Sequence, residues 1–91
     1  MTVRLQLPPV LRSVAGGERW VGASGATIGE ALNDLNARHP SLGLHFFDEQ
    51  GAIRRNLVFV HDGALVRARE AANYRLRDGD ELILTNALAG G

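Results

Sequence analysis

The sequence contains no cysteine and no lysine among its 91 residues. Without thiolates it can build no disulfide scaffold, no cysteine zinc site and no cysteine-ligated iron–sulfur cluster. Aromatic residues are scarce, at 5%, and there are three prolines. No apolar run approaches the roughly 18 residues that a membrane helix needs. No basic start followed by an apolar stretch marks a secretory leader. A chain of this length forms one domain with one small core. These absences lead to the expectation of a cytoplasmic domain held by packing alone, with no metal site and no membrane contact.

What is present is 45% hydrophobic, too much for a disordered chain. All ten basic residues are arginine, balanced by ten acids. That zero sum argues against a nucleic-acid binder, which shows a large basic excess. The charge is nevertheless uneven. Residues 54–77 hold six arginines against Asp62 and Glu70, whereas residues 78–91 hold Asp78, Asp80 and Glu81 with no base. The basic stretch is either a solvated surface or a face for an acidic partner.

Val3, Leu5 and Leu7 alternate with Thr2, Arg4 and Gln6, the period of a half-buried strand. Pro8 and Pro9 stop ladder pairing. Gly16-Gly17 turns the chain into a returning strand over 18–23. Thr27 and Glu30 form a T-x-x-E capping box, and Ile28, Ala31, Leu32 and Leu35 make one apolar helical stripe. Arg38 and His39 suit the negative end of that helix, and Pro40 ends it. Residues 41–56 predict an irregular crossover in which Leu42, Leu44, Phe46 and Phe47 plug the edge of the core. The run Leu57-Val58-Phe59-Val60 predicts a covered strand. Asp62-Gly63 is a turn, 64–66 a short edge strand, and 67–77 a polar surface loop. Asp78-Gly79-Asp80 turns into a final strand over 81–85. The pattern predicts an α+β domain: a mixed sheet of four to five strands on one main helix, with first and last strands side by side in its middle. That is the β-grasp (ubiquitin-like) plan, with a domain over 1–85 and a flexible Gly-Gly tail over 86–91.

Most catalytic constellations fail. Gly22, Gly25 and Gly29 do not space as a phosphate loop, and Glu30 would repel a phosphate there. Ser24 lacks the full nucleophile-elbow motif. His39, His45 and His61 lack helical metal spacing. Asp78, Asp80 and Glu81 lack a calcium-loop ladder. The tail remains. Six extended residues, 86–91, reach about 20 Å. Gly90 and Gly91 carry no side chains, so with Ala89 they can thread a narrow channel and place a carboxylate in another protein's active site.

The strand ending in proline, the 27–38 helix, the Asp78-Gly79-Asp80 turn and terminal Gly90-Gly91 resemble the MoaD/ThiS family of sulfur carriers over essentially the whole chain. Leu11-Arg12, Gly16-Gly17, the stretch Ala23–Gly29 and the tail Ala87–Gly91 are similar to the branch that feeds cysteine biosynthesis. Many molybdopterin-branch carriers have a proline shortly before Gly-Gly, and this tail has none. The resemblance implies that the chain is not itself an enzyme and binds no cofactor. It implies adenylation of the Gly91 carboxylate by a ubiquitin-activating-type (MoeB/ThiF-like) enzyme using ATP, then sulfur attack to give a thiocarboxylate. The implied acceptor is a synthase, in the cysteine branch a pyridoxal-phosphate enzyme followed by a metalloprotease. Thiolated secondary metabolites, thiamine or molybdopterin are alternative destinations, and protein modification through Gly91 is a second class. A plain interaction domain is a third.

For docking, Leu57 and Phe59 point opposite to Val58 and Val60. One pair belongs to the core and the other to an exposed patch beside the tail. Leu57, Phe59 and Leu88 are the candidate docking residues, unless the 41–56 segment covers the second face.

Overall fold

The computed structural model describes residues 1–86, with the side chain of Asn86 left aside. The strands are β1 (Thr2–Gln6), β2 (Trp20–Ser24), β3 (Leu57–His61), β4 (Ala64–Arg67) and β5 (Glu81–Asn86). The helices are α1 (Pro9–Arg12), α2 (Ile28–Arg38), α3 (Pro40–Phe46) and α4 (Ala68–Ala71). One five-stranded sheet runs in the order β2-β1-β5-β3-β4. The pairs β1–β2, β3–β4 and β3–β5 are antiparallel, and β1–β5 is parallel. β1 and β5 therefore lie next to each other, with β5 at the centre of the sheet.

The 77–80 turn sets that arrangement. Gly79, at φ 87°, turns the chain where a side chain would be strained. The Gly79 amide donates to the Thr2 carbonyl at 2.7 Å, and the Thr2 amide donates to Asp78 Oδ1 at 2.8 Å. These bonds lay the entrance to β5 alongside β1.

Alternation then divides the sheet into two faces. Val3, Leu5, Leu57, Phe59, Leu82 and Leu84 turn inward, each at most 2% exposed. α2 lies over them with Ile28, Leu32 and Leu35 fully buried, each contributing ~1.5–3 kcal/mol. Thr27 caps α2: the Glu30 amide donates to Thr27 Oγ1 at 3.1 Å. The Glu30 carboxylate reaches back one residue further than expected and accepts from the Ala26 amide at 2.8 Å.

Two segments differ from the sequence expectation. Residues 40–46 form a helix, not an irregular crossover. Pro40 ends α2 but opens α3, because a first-turn residue needs no amide proton. Leu42 and Phe46 are buried as expected, whereas Leu44 is 72% exposed on the outer side of α3. Residues 67–77 are not a polar surface loop. α4 and the strand-like stretch after it bury Ala68, Ala71 and Leu76. The Leu76 amide donates to the Ala26 carbonyl and the Ile28 amide to the Tyr74 carbonyl, strapping this segment across the start of α2. Among the described residues no helix is long and apolar enough to cross a membrane.

Candidate functional site

The candidate site is where β5 leaves the sheet. Gly91, Gly90, Ala89 and Leu88 lie outside the described residues, so the site is framed by what surrounds Asn86. In the β3–β5 register Asn86 faces Leu57 and Thr85 faces Val58. On the other side of β3, Val58 faces Arg67. The chain therefore leaves the sheet where β3 begins and β4 ends.

Leu57 and Phe59 do not form a docking surface. They are 2% and 0% exposed, facing α2, because they share the face of Leu82 and Leu84. The opposite face carries the apolar surface instead. Pairing places Trp20, Gln6, Ile83, Val60 and Leu65 side by side across all five strands. Ile83 is 41% and Leu65 64% exposed, so the 41–56 segment leaves this face uncovered. The Arg4 guanidinium stacks 4.5 Å from the Trp20 ring and pairs with Glu81 at 2.7 Å, at the side of this row. Sequence reasoning missed Ile83 and Leu65. The available signal was Ile83 standing apolar between the inward Leu82 and Leu84.

The opposite end of the sheet is polar. His61 closes β3 with Nδ1 2.9 Å from Tyr74 Oη and Nε2 2.9 Å from Asp80 Oδ2. The Arg77 amide also donates to Asp80 Oδ2, at 2.8 Å. That amide first, and His61 second, hold the Asp80 carboxyl below its ordinary range. Asp34 is lowered in the same sense by the Arg38 guanidinium at 2.7 Å and by the Ser24 amide. Both are structural ties. Ser24 thus ends β2 with its amide bound to Asp34, and Gly22 lies within that strand, not in a phosphate loop. Among the described residues no three His, Asp or Glu side chains are grouped to hold a metal.

A five-stranded mixed sheet on one main helix, with β1 and β5 side by side in its middle, defines a ubiquitin-like β-grasp domain. The chain belongs to the ThiS family, whose profile matches residues 5–91. It is 32% identical over 94 aligned positions to the sulfur carrier protein CysO of Mycobacterium tuberculosis, covering both chains completely. It is similar to a solved Amycolatopsis orientalis BexX/CysO complex chain, with TM-score 0.79 and 30% identity over 98% of this chain and 99% of that one. It is equally similar to SAMP1 of Haloferax volcanii, with TM-score 0.80 and 29% identity over the full length of both.

Proposed function

We infer that this chain is a sulfur carrier whose reactive group is the Gly91 carboxylate. The reading rests on full-length likeness to a named sulfur carrier protein, extending through residue 91. A carboxylate resists substitution because attack must expel an oxide. Its oxygen would attack the α-phosphate of ATP in a ubiquitin-activating-type enzyme, releasing pyrophosphate and leaving an acyl-adenylate. Hydrosulfide would then displace AMP, giving a thiocarboxylate and releasing one proton. That sulfur is a soft nucleophile for an electron-poor acceptor. Cysteine synthesis is the favoured destination, through a pyridoxal-phosphate synthase and a releasing metalloprotease. ATP and pyridoxal phosphate would belong to those partners.

In this reading Ala89 and Gly90 thread the partner's channel and Leu88 seats at its mouth. The uncovered row Trp20, Val60, Ile83 and Leu65 serves as the docking face in place of Leu57 and Phe59. Incubation with the cognate activating enzyme, ATP and sulfide tests the chemistry. Intact mass should show one oxygen of the chain replaced by sulfur, and deletion of Gly91 should abolish this without unfolding the domain. No change with an enzyme proven competent would refute the reading.

The likeness to a protein named small archaeal modifier protein 1 favours a second use of the same terminus, attachment to target amines. Higher-mass adducts on target lysines in the same reaction would identify it.

A further inference from the structure

The arginine excess of residues 54–77 is not absorbed by the carrier chemistry, and the fold gathers much of it at one place. Arg55 precedes β3, Arg67 ends β4 and Arg69 lies in the first turn of α4; all three are exposed. Thr85, Val58 and Arg67 lie in one lateral row, which puts Arg67 about 10 Å from the final described residues of β5. Arg55 and Arg69 flank an open groove of about 620 Å³ whose apolar floor includes Phe47, Ile53 and Ala68. A second hollow of about 330 Å³ adds Arg67 to the same pair.

Among the described residues no acidic side chain forms an ion pair with Arg55, Arg67 or Arg69. Glu70 accepts from the Arg67 backbone amide, at 3.3 Å. Asp48 and Glu49 line an adjoining groove, which shares Asn33, Phe47 and Gly51 with the first but neither Arg55 nor Arg69. Among the described residues Glu70 is thus the one acid of the final third placed beside these arginines by a hydrogen bond, whereas Asp62, Asp80 and Glu81 share a hollow with Trp20, Val60 and Ile83 at the far end of β3 and β5. At that far end Arg4 pairs with Glu81, whereas guanidinium groups without an ion-pair partner among the described residues are found where β5 ends, at Arg55, Arg67 and Arg69.

Three exposed guanidiniums beside an apolar floor are complementary to a protein surface of carboxylates around an apolar side chain. Their local positive charge favours the approach of an acidic partner to this side of the domain. The geometry points to Arg55, Arg67 and Arg69 as a docking ridge for an acidic surface on the activating enzyme, beside the mouth of the channel that takes the tail. Activation is the step shared by every acceptor, so the ridge is assigned to that partner. The inference rests on the carrier reading. Because the charges are exposed, they act on encounter and salt dependence more than on the chemical step.

The test is ATP–pyrophosphate exchange by the activating enzyme of the same genome, with the carrier concentration varied. For the combined Arg55→Glu, Arg67→Glu and Arg69→Glu variant, KM for the carrier should rise about tenfold or more with kcat within about twofold. Raising salt from about 50 to about 300 mM should raise the wild-type KM and leave that of the variant nearly flat. The triple alanine variant should fall between the two, and it carries the test if the reversed variant does not fold. Arg75→Glu, on the strap across α2, should leave KM unchanged. An unchanged KM in both triple variants, or a raised KM with the salt response intact, overturns the ridge. No exchange with wild-type protein, by an enzyme active on another carrier, overturns the carrier reading and the ridge with it.

Discussion

Gly29, in the first turn of α2, lies directly against the backbone of Ala72 at the end of α4: a Cβ there would sit 2.6 Å from the Ala72 carbonyl oxygen. Backbone on both sides of the contact leaves neither free to yield. Ordinarily Gly→Ala within a helix stabilises by ~0.5–1 kcal/mol. Here the overlap reverses the sign, and Gly29→Ala should destabilise by ~1–3 kcal/mol, the usual range for overpacking. Thermal unfolding should show a midpoint several degrees lower. A midpoint equal to or above the wild-type value would refute the tight contact.

The two sheet faces predict opposite outcomes for two apolar truncations. Phe59 is fully buried, so Phe59→Ala should lose ~3–5 kcal/mol, a large share of a small domain's stability. Ile83, 41% exposed, should lose about 1 kcal/mol or less on truncation to alanine. The activation assay should then report a raised KM for Ile83→Ala with the fold intact. Urea midpoints that fall equally for both would show that the sheet has no open face.

Asp80 predicts an acid limb of stability. Its folded carboxyl titrates below the ordinary value of 3.8, so the charged form is favoured by folding. That contribution is complete above the ordinary value and is lost as pH falls through the lowered one. Asp80→Asn should lower stability at neutral pH and narrow the difference from wild type as the solution is acidified. Asp34, lowered in the same direction, leaves a residual slope in that variant. Stability curves that run parallel down to about pH 2 would remove Asp80 from the account.

Thr27→Ala takes away the oxygen that receives the Glu30 amide and should cost about 1 kcal/mol. The Ala26 amide keeps its Glu30 acceptor, so fraying should be confined to the first turn of α2. Amide exchange along the helix would show this, and faster exchange beyond Leu32 would contradict it.

Strong periodicity made most of the fold legible. Val3, Leu5 and Leu7 announce β1, Ile28 to Leu35 announce α2, and Asp78-Gly79-Asp80 announces the last turn. What escaped was carried by residues with weak signals. α4 packs through Ala68 and Ala71, whose small side chains scarcely register as apolar beside three arginines. α3 contains Gly43, which reads as a breaker but sits tightly against the Asn36 side chain, where two helices meet. Which of the two β3 faces is inward depended on partners, not on Leu57 to Val60 themselves, since all four are apolar. The chemistry proposed for Gly90-Gly91 rests on the sequence and the family likeness, since those residues lie outside the described ones, whereas the proposed arginine ridge needed the register that aligns Arg67 with Thr85.

The central place of β5 has a consequence for how the domain is made. In the sheet β1–β2 and β3–β4 are two antiparallel pairs with no strand in common, and β5, residues 81–86, lies between them. The strand that joins them is the last of the five to emerge from the ribosome. Parallel pairing of β1 with β5 spans nearly the whole sequence, the kind of distant closure that folds late. A nascent or truncated chain lacking that strand therefore cannot close the sheet.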